Sequence, residues 1–208
     1  MPINLLVADD HEVVRRGLDH LLRGSAIKIV AEASDSAQTL RAAKKVKPDV
    51  VLLDVRMKDV DGIATLKKLR KALPKLPVVM FSVYDNHTYI ARSATGGATD
   101  YVLKSAPKSE LVRAIQNAAK GNPPAKNSLL RQMQFTMADR EMDPKTPLTK
   151  RELQVVRHIA LGLSNKEIAQ SLDISVETVK EHVQNLLRKL QFKDRTQAAV
   201  WTVKSGLI

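Results

Sequence analysis

The first 120 residues of this 208-residue chain alternate between two hydrophobic periods, and that alternation sets the class of fold. Short apolar, β-branched runs occur at INLLVA, IKIVAEA, DVVLLDV, LPVVMFS and TDYVLK. Between them, apolar residues recur at helical spacing from Val13 to Leu22, Ala37 to Val46, Ile63 to Leu73, Thr88 to Ala94 and Glu110 to Ala119. Strands that alternate with helices of this length make βα units, and βα units make a parallel sheet. The strands are almost continuously apolar, as expected of a sheet covered on both faces. Aromatics are only 3% of the chain, so the core must be built from Leu, Val, Ile and Ala. The expectation is an α/β, doubly wound, five-stranded parallel sheet with its ligand site at the carboxyl ends of the strands.

The pattern changes after Gly121-Asn122-Pro123-Pro124, a helix stop followed by a turn cluster. Residues 122–146 read as a linker, in which Leu129, Leu130, Met133 and Met137 have the spacing of a short helix. From residue 147 on, the periodicity is helical only. Thr149 with Glu152 and Ser164 with Glu167 are two capping boxes. Asp173-Ile174-Ser175 makes a three-residue turn, Ser175 caps a helix reaching about Leu190, and a last helix covers Arg195 to Lys204. The domains are therefore 1–121, a linker over 122–146, and an all-α, four-helix domain over 147–208.

Formal net charge is +12, a balance that favours a polyanionic partner. Residues 1–121 carry 20 Lys/Arg against 13 Asp/Glu, and residues 145–208 carry 11 against 6, so charge alone does not say which part meets it. The absence of cysteine excludes disulfides and thiolate metal sites. The opening MPINLLVADD has no basic region, and no stretch approaches the roughly 18 apolar residues of a membrane span, so a soluble, cytoplasmic location is expected.

Four of the apolar runs end in residues that do chemistry. The first ends in Asp9-Asp10, the third in Asp54, the fourth in Ser82 and the fifth in Lys104. In a parallel sheet these ends share one edge. A strand-end aspartate standing alone is most often a helix cap, but three carboxylates together repel one another and call for a cation. All-oxygen ligands suit Mg²⁺. A carboxylate so neutralised can attack phosphorus in line and become an acyl phosphate. On this reading Asp54, on the central strand, is the nucleophile. Asp9 and Asp10 hold the metal, Asp10 most directly, and Lys104 and Ser82 bind phosphate oxygens.

The stretches VADDHEVVRRGL, DVVLLDVRMKDVDGI, VVMFS, GATDYVLKS and SELVRAI closely resemble a bacterial two-component receiver domain, which has a flavodoxin-like fold. The resemblance implies phosphorylation of Asp54 by a partner histidine kinase. It implies Mg²⁺ at Asp10, Asp54 and the main-chain carbonyl of Arg56, with Asp9 assisting. Ser82 and Tyr101 fall at the family's switch positions, where a hydroxyl follows the phosphoryl group and an aromatic ring changes rotamer. This chain has Lys58-Asp59 where Pro-Gly is frequent, and Ser82 where threonine is commoner.

In the helix that starts after Ser175, Val176, Val179, Val183, Leu186, Leu187 and Leu190 share one face. Glu177, Glu181, Gln184, Asn185 and Arg188 occupy the other, with Thr178, Lys180 and Lys189 on its flanks. Such a helix can dock on a bundle and enter a major groove. Lys180 can donate to guanine, Gln184 can pair with adenine, and Glu181 can accept from cytosine. Thr178, Asn185, Arg188 and Lys189 suit phosphates, as does the helix start at Ser164, Asn165 and Lys166. The run LTKRELQVVRHIALGLSNKEIAQSLDISVETVKEHVQNLLRKL resembles the LuxR-type helix-turn-helix of NarL/FixJ-class response regulators. That resemblance implies duplex DNA as partner, with RNA polymerase as a candidate. It also implies a homodimer, formed on phosphorylation through the last helix, Val200 and Trp201 included. The whole chain thus reads as a phosphorylation-dependent transcription regulator rather than an enzyme. The competing reading is a metal-dependent phosphohydrolase on the same sheet, which would need substrate loops longer than those seen here.

Overall fold

The computed structural model describes residues 2–58, 61–138 and 147–208, which fall into two compact units, Met1–Arg131 and Gln132–Ile208. In the first unit the strands are β1 (Ile3–Ala8), β2 (Ile27–Ala33), β3 (Val50–Asp54), β4 (Val78–Ser82) and β5 (Asp100–Leu103). They form one parallel sheet in the order β2-β1-β3-β4-β5. This is the doubly wound, flavodoxin-like order, with its switch of direction at β1 and β3.

The connecting helices are α1 (Glu12–Leu22), α2 (Ser36–Val46), α3 (Gly62–Ala72), α4 (His87–Thr95) and α5 (Lys108–Ala119). Helices α1 and α5 pack together, as do α2 with α3 and α3 with α4, so the helices form two layers. That division follows from right-handed crossovers on a sheet whose order reverses at its centre. Every residue of β3 and β4 is buried. On one face Leu5, Val7, Leu52, Val79 and Val102 pack with Leu18, Leu22, Leu111 and Ile115. Three helices start on side-chain caps: Asp35 accepts from Gln38 N, Asp61 from Ile63 N and Asn86 from Thr88 N. Each fixes where the chain turns after a strand end.

The register sets the functional edge. Ala8 pairs with Leu53, Asp54 with Phe81, and Ser82 with Leu103. The residues just past these pairs therefore lie side by side. Lys104 follows β5 by one residue, yet its N–H still donates to Ser82 O at 2.7 Å. Gly62 opens α3 directly beneath this edge. A Cβ there would lie 1.9 Å from Asp54 O, so only glycine lets α3 start so close to β3.

Helix α6 (Leu129–Met137) realises the helical spacing expected within the linker, with Leu130, Met133 and Met137 buried. Residues 139–146 of the expected linker, and Asp59 of the Lys58-Asp59 pair, lie outside the described residues.

The second unit holds α7 (Lys150–Ala160), α8 (Asn165–Leu172), α9 (Val176–Leu190) and α10 (Arg195–Lys204). Both expected capping boxes are present, at Thr149/Glu152 and Ser164/Glu167. Asp173 ends α8 in the left-handed region at φ 52°, and its backbone N–H bonds Ala169 O. Helix α9 packs on both α7 and α8, and α10 on α7. The apolar face of α9 is shorter than its sequence pattern suggests. Val179 and Leu186 are fully buried, whereas Val176, in the first turn, is exposed. No helix among the described residues is long and apolar enough to cross a membrane.

The close approach at Gly62 yields a test. Gly62→Ala should lower the stability of the α/β unit by about 2 kcal/mol or more, because the methyl meets backbone rather than a movable side chain. Urea denaturation of the intact chain reads this, and an unchanged midpoint would refute the packing.

Candidate functional site

At the carboxyl edge of the sheet, Lys104 Nζ donates to Asp9 Oδ2 at 2.6 Å and to Asp54 Oδ2 at 2.7 Å. Both carboxylates are almost fully buried. Asp54 Oδ1 accepts from Arg56 N at 3.2 Å, and Asp9 Oδ1 from His11 N at 2.9 Å. Asp10 Oδ2 accepts from Lys58 N at 3.1 Å. Its other oxygen, Oδ1, is buried without a hydrogen-bond donor. His11 Nδ1 comes within 2.8 Å of that atom but lacks hydrogen-bond geometry towards it; the ring bonds Asp9 Oδ1 at 3.2 Å instead. One oxygen from each of Asp9, Asp10 and Asp54, with a His11 nitrogen, lies within 4.8 Å of the others.

The charges follow from this packing. Burial raises the Asp54 carboxyl above the usual carboxylate range. Lys104 pulls it down, and Asp9 adds to the rise. Burial also works against the Lys104 ammonium, but Asp54 and Asp9 outweigh it and hold its pKa above the ordinary lysine value. The pocket therefore keeps its cation, while burial makes the Asp54 anion costly.

Ser82 is fully buried, and its Oγ accepts from Tyr84 N at 3.1 Å. Tyr101 is buried with its hydroxyl donating to Tyr84 O at 2.6 Å, and burial pushes the phenol up to about 12. Tyr84 thus ties Ser82 to Tyr101 through its backbone. Its ring lies 5.8 Å from the Arg56 guanidinium, whose Nη1 donates to Tyr84 Oη at 3.3 Å. Tyr84 and His11 are not among the site residues expected from the sequence. His11 carries a signal, as the residue next to Asp9-Asp10, whereas Tyr84 acts mainly through its backbone, which no residue type announces.

On α9, Lys180, Glu181, Gln184 and Arg188 are exposed. Lys180 pairs with Glu177 at 2.9 Å, and Arg188 donates to Asn185 Oδ1 at 3.0 Å. Thr178 is tied to the helix start, since its N–H donates to Ser175 Oγ at 3.0 Å. Lys189 Nζ is 2.7 Å from the buried Glu152 carboxylate, which also caps α7. That lysine is therefore held in an ion pair joining α9 to α7. At the start of α8, Ser164 Oγ is engaged with Glu167, Asn165 Oδ1 accepts from Arg195 at 3.3 Å, and Lys166 is exposed. On α10, Val200 is exposed, and the half-buried Trp201 ring lies 6.2 Å from Phe192.

Residues 5–116 match the response regulator receiver domain family, and residues 146–202 match the bacterial regulatory proteins of the luxR family. The chain belongs to the response regulators of the NarL/LuxR class. The response regulator protein VraR of Staphylococcus saprophyticus subsp. saprophyticus is 35% identical, with all of both chains covered. The transcriptional regulatory protein LiaR of Bacillus subtilis is 37% identical over 99% of each chain. Among solved structures, the response regulator ChrA of a heme-sensing two-component system is 32% identical over 100% of this chain and 99% of that one, at a TM-score of 0.55. RcsB solved as a DNA complex is 22% identical over 98% of each, at a TM-score of 0.59, and shows the shared fold. The phosphohydrolase reading finds no support among these relatives.

In this response regulator the acidic pocket fits the Mg²⁺ that receiver domains generally bind. The fit rests on the buried Asp10 Oδ1, which has no donor, beside the carboxylates of Asp54 and Asp9. The raised Asp54 pKa makes its charge a cost to the fold. Asp54→Asn should therefore unfold at higher urea than the wild type at pH 7 in metal-free buffer. The sign follows from linkage: the cost is present above the folded pKa and vanishes as pH falls through that value towards the unfolded one. The gap between the two proteins should close on acidification. A gap that widened would mean that Lys104 leaves Asp54 net stabilising.

Proposed function

We propose that this response regulator is switched by phosphorylation of Asp54 and reads duplex DNA through α9. The observation that carries the reading is the Asp54 carboxylate, buried beside Asp9 and bridged to it by Lys104 Nζ at 2.7 Å. An Asp54 oxygen attacks the phosphorus of a phosphohistidine on a partner kinase. The N–P bond breaks, the electron pair stays with the imidazole, and an acyl phosphate forms on Asp54. Mg²⁺, held by Asp10, Asp54 and the main-chain carbonyl of Arg56 with Asp9 assisting, would supply charge neutralisation at these oxygens.

The remaining work falls to the chain's own groups. Lys104 exchanges a carboxylate oxygen for a phosphoryl oxygen at almost the same place. Ser82 can donate its hydroxyl to a second phosphoryl oxygen. Ser82 Oγ still accepts from the Tyr84 N–H, so a hydroxyl drawn towards the phosphoryl group pulls on Tyr84, whose carbonyl is the acceptor that keeps Tyr101 inside. A shift of Ser82 thus reaches Tyr101 through one residue, which biases a two-state equilibrium.

In this reading residues 1–121 form the receiver, 122–146 the linker and 147–208 the DNA reader. Lys180, Glu181 and Gln184 face bases. Thr178, Asn185, Arg188, Ser164, Asn165 and Lys166 meet phosphates, and Lys189 positions α9 through Glu152. Val200 and Trp201 lie at a homodimer contact favoured by phosphorylation. RNA polymerase is a further partner, and the protein acts in the cytoplasm. Its only turnover is slow loss of its own phosphoryl group.

Acetyl phosphate with Mg²⁺ should label the wild type, and EDTA or Asp54→Asn should abolish labelling. Labelled protein should bind operator DNA at least tenfold more tightly than unlabelled protein at fixed salt. Equal affinity in the two states would remove the gating role. For Gln184→Ala, discrimination should relax by about 1–3 kcal/mol at one base pair. A uniform loss on every sequence would place Gln184 away from the bases.

A further inference from the structure

The excess positive charge of the receiver is concentrated in one place. Residues 36–49 and 62–77, which hold α2, α3 and the loops that follow them, carry nine Lys/Arg and one Asp/Glu. The rest of residues 1–121 carries eleven against twelve. Lys44, Lys45, Lys47, Lys68, Lys71 and Lys75 are all exposed, and none forms an ion pair among the described residues.

Two of these cations, Lys47 and Lys75, line an apolar cleft of about 400 Å³ between the ends of α2 and α3, and the other four lie on the same two helices. Ala43 and Pro48 line it on one side, Ala72, Leu73 and Leu76 on the other, with Lys47 and Lys75 among its walls. Its size falls in the range of ligand pockets, about 300–1,000 Å³. The loop after α3 is fixed in place: Arg70 donates to Leu76 O at 3.0 Å and to Gly97 O at 2.7 Å. The cleft lies at the starts of β3 and β4, the opposite edge of the sheet from Asp54.

Helix dipoles explain some of this charge, since cations are favoured in last turns. They do not explain Lys75, which lies in the loop beyond α3. Lys47 occupies the C-cap of α2 at φ 46°, in the left-handed region that favours glycine. A lysine side chain is kept there at a conformational cost.

We propose that this cleft docks an acidic polypeptide segment, which inserts one apolar side chain between α2 and α3 while its carboxylates meet the surrounding lysines. Charge complementarity selects an anionic partner. The concave apolar floor distinguishes a peptide from duplex DNA, whose phosphates need no such cavity, and from a membrane, which calls for apolar groups that protrude.

The test uses the full-length protein and a synthetic eight-residue peptide of aspartate and glutamate with one central leucine. Binding is read by calorimetry and by amide NMR shifts. Shifts should cluster at residues 43–48 and 72–76. Replacing the peptide leucine by serine should weaken binding at least fivefold. Ala72→Trp, which fills the cleft without changing charge, should do the same. Lys47→Gly should weaken binding at least threefold while raising the melting temperature, two effects that a purely structural lysine would not combine. Equal affinity for the leucine and serine peptides, or shifts outside the cleft, would overturn the proposal. So would tighter binding of random duplex DNA at these lysines with no effect of Ala72→Trp, which would make the face a nucleic-acid surface.

Discussion

One ammonium group, Lys104 Nζ, holds two buried carboxylates that would otherwise drive the sheet edge apart. Two like charges a few ångströms apart repel by several kcal/mol at the dielectric of a partly buried site. The bridge works only because three strand ends are in register. β1 must deliver Asp9, β3 Asp54 and β5 Lys104 to one level, and the pairing of Ala8 with Leu53, Asp54 with Phe81 and Ser82 with Leu103 does so. The fully buried β3 and β4 hold that register, since a slip by one residue would turn core side chains into the wrong layer. The apolar core and the charged edge are thus one construction.

In the proposed function the bridge also makes the site responsive. Lys104 is shared between two acceptors, so a new anion at Asp54 competes for a donor already in place rather than recruiting one. The second link is Tyr84, which receives Tyr101 at its carbonyl and gives its N–H to Ser82. Arg56 closes the arrangement, with its backbone N–H on Asp54 and its guanidinium on Tyr84. A change of charge on one carboxylate therefore meets two backbone-mediated contacts before it reaches the outer surface.

Much of this was legible in the sequence because the signals were periodic or local. Two hydrophobic periods marked five strands and five helices, and S/T-x-x-E pairs marked α7 and α8. The strand-end residues could be grouped because a parallel sheet brings all carboxyl ends to one edge. What stayed hidden depends on tertiary neighbours. Lys189 looks like any basic residue on a polar helix flank, and only the packing of α9 on α7 reveals Glu152 beneath it. Val176 fits the apolar stripe of α9, yet at the helix start it is 37% exposed, three residues before the fully buried Val179. Tyr84 works through its main chain, so its identity carries no message.

The polarity of the sheet accounts for the separation of charge in the receiver. Each helix begins near a strand's carboxyl end and finishes near the next strand's amino end. Helix N-termini, which favour anions, therefore gather at the Asp54 edge, and C-termini, which favour cations, gather at the other. Helix α3 shows both halves: it opens on Asp61 and Gly62 beside Asp54, and ends on Arg70 and Lys71. A dipole acts only within the first or last turn, however, and Lys75 lies beyond it. Lys47 holds a backbone conformation that glycine would adopt at lower cost. The dipole sets the sign of each edge, while the amount of charge on the amino edge exceeds what helix stability requires. Lys47 and Lys75 line an apolar cleft, which is where an external anion with an apolar anchor would gain most from that surplus.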